Sequence, residues 1–141
     1  HINGGLDMMR AVKKSSKIIN KNLKILGVTV LTSFSNSSIK KIGHTRSIKE
    51  LVKKQAKLAM QAKLDGIVCS GYEAKFLKKI CKNMEIITPG IRLPNDKKDD
   101  QKRVMTPKEA FKNGATSIVI GRSITKGNIK TNIKKLIKSL Y

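Results

Sequence analysis

The chain has 141 residues, 39% of them apolar, which is the size and composition of one folded domain, 1–141. No apolar run approaches the roughly 20 residues of a membrane span. Its cysteines, Cys69 and Cys81, fit neither a metal-binding spacing nor a disulfide framework, which predicts a cytoplasmic protein without a bound metal. The net charge of +22 comes almost entirely from lysine, and aromatic residues make up 4% of the chain, so we predict solvated helix faces and no specific nucleic-acid partner.

Short apolar runs recur along the chain and predict strands. They occupy residues 25–31, 66–69, 85–87 and 117–120 and are rich in β-branched side chains. Because apolar and polar residues do not alternate along them, they are typical of a parallel sheet that is covered by helices.

Helix signals lie between these runs. Three segments have the capping-box pattern, in which Ser or Thr is followed three residues later by Glu: 47–50, 70–73 and 106–109. The third also has Pro107 at the first helical position and Gly114 as its predicted stop. Residues 129–140 predict a basic terminal helix.

The alternation of strands and helices predicts an α/β fold with right-handed crossovers. Doubly wound sheets and (β/α)8 barrels both have this pattern. A complete barrel needs about 250 residues, so this chain could form only part of one.

A glycine and an arginine end the last predicted strand. Residues 118–122 read Ile-Val-Ile-Gly-Arg, so Gly121 would let an anion approach the backbone amides and Arg122 would add a charged fork. In barrels, the loops after the last two strands commonly bind phosphate. We predict an anion site here, although an ordinary glycine turn with an exposed arginine would have the same sequence.

A second candidate site follows the third strand, where residues 88–92 read Thr-Pro-Gly-Ile-Arg. Proline and glycine redirect the chain, and Arg92 leads into a polar loop, 93–101, with the composition of an active-site lid or of a plain surface turn. Gln101 in this loop can both donate and accept, so it could bridge two parts of one ligand.

Hydroxyl groups end the first strand, where residues 28–33 read Val-Thr-Val-Leu-Thr-Ser. Thr32 could hydrogen-bond the edge of a base or cap the next element, and the residues alone leave both interpretations open. We interpret the adjacent Asp99 and Asp100 as solvated or capping groups rather than as a catalytic pair.

Taken together, these segments resemble orotidine 5′-monophosphate decarboxylases in order and spacing. The resemblance is carried by residues 26–33, 66–70, 88–92, 100–107 and 119–122. Residues 1–9, His-Ile-Asn-Gly-Gly-Leu-Asp-Met-Met, resemble the end of the family's fourth strand and the start of the following helix. The resemblance therefore extends over essentially the whole chain.

The resemblance implies a partial (β/α)8 TIM barrel, consisting of about the last five βα units with the fourth strand only partly present. It implies the decarboxylation of orotidine 5′-monophosphate to uridine 5′-monophosphate in pyrimidine biosynthesis, without metal or organic cofactor. The family is usually a homodimer with active sites near the subunit interface, so a homodimer is also implied.

Particular residues match the family's substrate-binding positions. Thr32 matches the residue that contacts the pyrimidine, and Gln101 matches a glutamine that reaches toward base and phosphate. Arg92, Gly121 and Arg122 match further substrate-binding positions, with Arg122 at the phosphate.

No catalytic residue is assigned within the chain. The resemblance places the catalytic lysine and its aspartates, in an Asp-x-Lys-x-x-Asp pattern, on a strand before residue 1, and the sequence contains no such pattern. Two departures from the family concern the binding loops: Ser123 stands where proline is usual, and Pro94 lies one position later than in the common pattern.

Two alternatives differ in function class. One is a related lyase or synthase of the phosphate-binding barrels that acts on a sugar phosphate, against which the matches of Thr32 and Gln101 argue. The other is a basic protein that binds nucleic acid, for which the net charge is the only support.

Overall fold

A four-stranded parallel sheet organises the computed structural model, which describes residues 1–94, 96 and 102–141. In chain order the described strands are β1 (Leu26–Val28), β2 (Gly66–Val68), β3 (Glu85–Thr88) and β4 (Ser117–Ile118). They lie side by side in the order β1-β2-β3-β4, and every neighbouring pair is parallel. All four predicted strands are confirmed, although β1, β2 and β4 are shorter than the apolar runs that predict them.

Helices follow and precede the strands. Their bounds are α1 (Gly5–Ile19), α2 (Asn36–Lys41), α3 (Ile48–Gln61), α4 (Gly71–Ile80), α5 (Pro107–Lys112), α6 (Arg122–Thr125) and α7 (Ile129–Lys138). The opening segment forms a short 3-10 turn, Ile2–Gly4, and runs directly into α1. The structure thus describes four units of a strand followed by one or more helices. Helix α1, which precedes β1, is the helix of the unit before them. None of the described helices is long and apolar enough to cross a membrane.

Two of the three predicted capping boxes are confirmed. Ser47 begins α3 and Thr106 begins α5, each bonding the amide three residues ahead while the glutamate there bonds back. Gly114, with φ of 95°, follows the end of α5 as predicted. The box predicted at 70–73 is wrong in its detail, because the hydroxyl of Ser70 accepts from the amide of Tyr72, one residue earlier than the pattern predicts.

One face of the sheet packs against helices and forms the main core. Ile67 and Ile86 are aligned partners on β2 and β3 and are fully buried. They belong to one cluster with fully buried side chains of α3 and α4, including Val52 and Leu77. A smaller cluster near β4 contains Ile91, Ala110 and Ala115. This packing fixes the strand ends, from which the predicted site residues emerge.

The last helix has no buried residue. Ile129, Ile133 and Ile137 recur every fourth position and therefore lie on one face of α7, where they are 52%, 43% and 51% exposed. At the other end of the described chain, Ile18 and Ile19 at the end of α1 are also exposed. Apolar surface is therefore uncovered at both margins of the fold.

Candidate functional site

The described candidate residues follow strand ends, as predicted. Thr32 lies after β1, Arg92 after β3, and Gly121 and Arg122 after β4. Because the strands are parallel, their carboxyl ends meet at the same edge of the sheet, which we call the carboxyl edge. Gln101 lies outside the described residues, as do Asp99 and Asp100, so their predicted roles remain predictions.

Gly90 brings the loops after β1 and β3 into contact. Its φ of +75° lies in the left-handed region, which favours glycine. A Cβ at this position would lie 2.9 Å from the carbonyl oxygen of Arg103 and 3.2 Å from Cγ2 of Thr32. Thr32, which is 8% exposed, therefore packs against the turn that precedes Arg92.

Residues 103–105 run back alongside this turn. The amide of Met105 donates to the carbonyl of Gly90 at 3.2 Å, and the amide of Arg92 donates to the carbonyl of Met105 at 3.0 Å. Ile91 and Met105 form an isolated parallel bridge between these two hydrogen bonds. The main chain from Gly90 to the amide of Arg92 is thus held by two hydrogen bonds to Met105.

The guanidinium of Arg92 is buried and only partly hydrogen-bonded. The residue is 7% exposed, and its Nη1 donates to the carbonyl of Ile91 at 3.0 Å. Its Nε and Nη2 are buried and have no hydrogen-bond partner in the part of the chain that the structure describes. Buried donors without an acceptor are costly, so this guanidinium is suited to an anion that offers two oxygens.

The loop after β4 lies next to the loop of Arg92. The amide of Leu93 donates to Oγ of Ser123 at 3.4 Å, so Ser123, where the resemblance leads one to expect proline, links the two loops. Gly121 is exposed and has open space where a side chain would begin, and Arg122 opens the short helix α6. Arg92 and Arg122 therefore belong to adjacent loops at the carboxyl edge.

Sequence reasoning missed a buried ion pair between Arg103 and Glu73 on α4. Nη1 of Arg103 donates to Oε1 of Glu73 at 2.5 Å, and the two side chains are 13% and 8% exposed. Burial raises the pKa of Glu73 above its ordinary value, and the charge and hydrogen bond of Arg103 offset part of that effect. The spacing of Ser70 and Glu73 indicates a local cap, and only the fold reveals that Glu73 has a partner 30 residues away.

A second, partly buried pair lies at the opposite edge of the sheet. Nζ of Lys13 contacts Oδ2 of Asp65, which also accepts from the amide of Ile25 at 2.7 Å. Burial alone would raise the pKa of Asp65, but these two hydrogen bonds and the charges of Lys13 and Lys17 together outweigh it, and the pKa is lowered. Since Ile25 and Asp65 precede β1 and β2, the pair joins the amino ends of the strands, where barrels concentrate stabilising contacts.

A cleft of about 660 Å³ opens beside α4 but is not lined by the predicted residues. Its walls include Tyr72, Phe76 and the lysines at 49, 75, 79 and 102, together with the Glu73–Arg103 pair. Thr32, Arg92, Gly121 and Arg122 are not among its lining residues. We therefore place the candidate site at the carboxyl edge and not in this cleft.

Both cysteines are expected to be unreactive in the folded chain. Cys69 is 1% exposed, and burial raises the pKa of its thiol to about 12, so almost no thiolate exists near pH 8. Cys81 is also 1% exposed, and burial raises its pKa as well. Iodoacetamide at pH 8 should leave both thiols unmodified by mass spectrometry, whereas in urea both should be alkylated; rapid modification of the native chain would contradict the burial.

Comparison with known proteins finds relatives named orotidine 5′-phosphate decarboxylase. The family model described as "Orotidine 5'-phosphate decarboxylase / HUMPS family" matches residues 1–135. The orotidine 5′-phosphate decarboxylase of Prochlorococcus marinus (strain MIT 9215) is 49% identical over 133 residues, which cover 89% of this chain and 55% of the relative. That of Wolbachia pipientis subsp. Culex pipiens is 45% identical, covering 99% of this chain and 62% of the relative.

Solved structures agree with these relatives. The orotidine 5′-phosphate decarboxylase of Lactobacillus acidophilus superposes with a TM-score of 0.78 at 30% identity, covering 99% of this chain and 61% of that one. An uncharacterized conserved protein from Geobacillus kaustophilus gives a TM-score of 0.77 at 27% identity. The predicted fold, part of an α/β barrel, is thereby confirmed. The chain spans about 55% to 62% of the length of the relatives described here.

Proposed function

The chain belongs to the orotidine 5′-phosphate decarboxylase / HUMPS family, and on that basis we propose that it binds orotidine 5′-monophosphate at the carboxyl edge of its sheet. In this proposal the chain serves the decarboxylation of that nucleotide to uridine 5′-monophosphate in pyrimidine biosynthesis. The whole protein would act as a cytoplasmic homodimer, as the resemblance implies. Sedimentation of the whole protein tests the dimer.

The buried guanidinium of Arg92 is the observation that carries the proposal. Its Nε and Nη2 have no hydrogen-bond partner among the described residues, although the side chain is almost fully enclosed. A phosphate dianion offers several acceptor oxygens and would satisfy both donors in a charge-assisted pair. Arg122 in the neighbouring loop would supply a second cation for the same group.

The other candidate residues would hold the nucleoside part. Thr32 lies in the loop after β1 and packs against the turn at Gly90, so a ligand whose phosphate is at Arg92 would have its base or ribose near Thr32. Gln101, which matches a family glutamine between base and phosphate, would complete these contacts. Gly121 would let the ligand approach the backbone, because no side chain occupies the space beside it.

The proposal assigns binding, and not proton delivery, to these residues. Loss of carbon dioxide leaves negative charge on a ring carbon, which a nearby ammonium group must stabilise and protonate. Residues 1–141 contain no Asp-x-Lys-x-x-Asp pattern to supply that group. Phosphate binding remote from the reacting carbon can still contribute to catalysis, because it holds the base in position.

Calorimetric titration of the chain with three ligands tests this assignment. We expect uridine 5′-monophosphate to bind at least about ten-fold more tightly than uridine, because the phosphate forms the charge-assisted contacts. Ribose 5-phosphate should bind more weakly than the nucleotide, since it lacks the base. Equal affinity for ribose 5-phosphate and the nucleotide would favour a sugar-phosphate enzyme, and the absence of nucleotide binding would overturn the proposal.

A decarboxylation assay tests whether these residues bind the nucleotide without catalysing its decarboxylation. The purified chain should bind the nucleotide without measurable turnover of orotidine 5′-monophosphate, followed by its ultraviolet absorbance. Turnover by residues 1–141 alone would contradict the assignment of binding only. Tight, sequence-dependent RNA binding that persists at high salt would instead support a nucleic-acid function.

A further inference from the structure

We propose that Arg103 is a positioning residue, which holds the loop of Arg92 in the geometry that binds phosphate. The inference rests on the proposed function, because it concerns the same ligand. We call the set formed by Arg103, Glu73 and the carbonyls of Val30 and Leu31 the clasp. No part of the clasp needs to touch the ligand.

The clasp joins three parts of the chain through one side chain. Nη1 of Arg103 bonds the carboxylate of Glu73 on α4 at 2.5 Å. Nη2 of Arg103 donates to the carbonyls of Val30, at 3.2 Å, and Leu31, at 3.0 Å, after β1. The planar guanidinium can make these bonds together, whereas a lysine ammonium would lack the fork geometry.

The main chain of Arg103 connects the clasp to the candidate site. Its amide donates to the carbonyl of Thr32 at 3.2 Å, and its carbonyl oxygen lies against Gly90. Two residues later, Met105 bonds both Gly90 and Arg92 through its backbone. The side chain of Arg103 thus anchors the segment that sets the position of Arg92 and that packs beside Thr32.

Because the Glu73–Arg103 pair is buried, its loss should weaken the binding of a charged ligand more than that of a neutral one. Glu73 is 6% exposed, so its carboxylate depends on Arg103 for compensation of its charge. Removal of either partner leaves the other charge enclosed and drives a local rearrangement of the loop ends. A small displacement of Arg92 then affects a charged ligand strongly and a neutral one weakly.

Variants of the clasp provide the test. Arg103→Lys keeps the charge and removes the fork, and Glu73→Gln keeps the shape and one acceptor oxygen. Lys102→Gln is the matched control, because Lys102 is adjacent to Arg103 and exposed. Each variant is titrated with uridine 5′-monophosphate and with uridine, and hydrogen exchange is measured at the amides of Arg92, Arg103 and Met105.

We expect Arg103→Lys to lower the affinity for the nucleotide on the order of ten-fold and to lower the affinity for uridine much less. Glu73→Gln should show a smaller loss in the same direction, and Lys102→Gln should match the wild type. Exchange should accelerate at the three amides and not in the helices. These results together would establish a positioning role.

Other outcomes overturn the inference. An unchanged ratio of nucleotide to uridine affinity in Arg103→Lys would show that the pair is merely structural. If the wild type binds no nucleotide, the proposed function fails. The hydrogen-exchange measurement alone then tests whether the clasp anchors the loop of Arg92. Unchanged exchange at the three amides in both variants would then overturn it, whereas acceleration confined to them would support the anchoring of the loop.

Discussion

Gly90→Ala is expected to abolish nucleotide binding and to destabilise the chain by about 2–4 kcal/mol. The new Cβ would force a residue with φ of +75° into a strained conformation and would lie 2.9 Å from the carbonyl oxygen of Arg103. That neighbour is backbone and cannot rotate away, so the turn and the segment 103–105 would have to separate. Urea unfolding and calorimetric titration measure the two effects.

Gly127→Ala is the matched control for this substitution. Gly127 has φ of +80°, and nothing lies within 4 Å of the position where its Cβ would be. It therefore isolates the cost of the backbone conformation, about 1 kcal/mol, from the cost of the contact. Equal losses of stability in the two variants would show that the close approach at Gly90 is unimportant.

Arg92→Met is expected to have opposite effects on stability and on binding. Two nitrogens of this buried cation lack a partner among residues 1–94, 96 and 102–141, so its removal should raise the unfolding free energy of the ligand-free chain by about 1–3 kcal/mol. The same change should lower the affinity for uridine 5′-monophosphate by about a hundred-fold or more, since two charge-assisted hydrogen bonds are lost.

The exposed Arg46 supplies a control of the same residue type. Arg46→Met removes one positive charge from the surface and should alter neither quantity beyond a small effect of net charge. If Arg92→Met binds the nucleotide normally, the phosphate is held elsewhere. If it also unfolds more readily, the guanidinium has structural contacts that outweigh its unsatisfied donors.

Local signals predicted the elements well. The strands and the caps at Ser47 and Thr106 depend on residues within a few positions of each other, and these predictions are confirmed. The cap at Ser70 is different, because Glu73 is close enough to Arg103 in the fold for a buried ion pair to form. Propensity rules contain no information about such a distant partner.

The candidate site was only partly predictable. The sequence identifies Arg92 and Arg122 as arginines after strands, and the parallel sheet accounts for their common edge. It does not reveal that Arg92 is enclosed, since burial arises from packing between segments distant in sequence. Nor does it reveal the role of Ser123, whose hydroxyl links two loops that only the fold brings together.

The uncovered apolar stripe on α7 has a consequence for how stability must be defined. Ile129, Ile133 and Ile137 can be removed from water only when another surface covers them. Any surface that binds the folded chain there shifts the folding equilibrium by mass action. The unfolding midpoint is then a function of the concentration and affinity of that surface, and a single free energy of unfolding describes the chain only when both are specified.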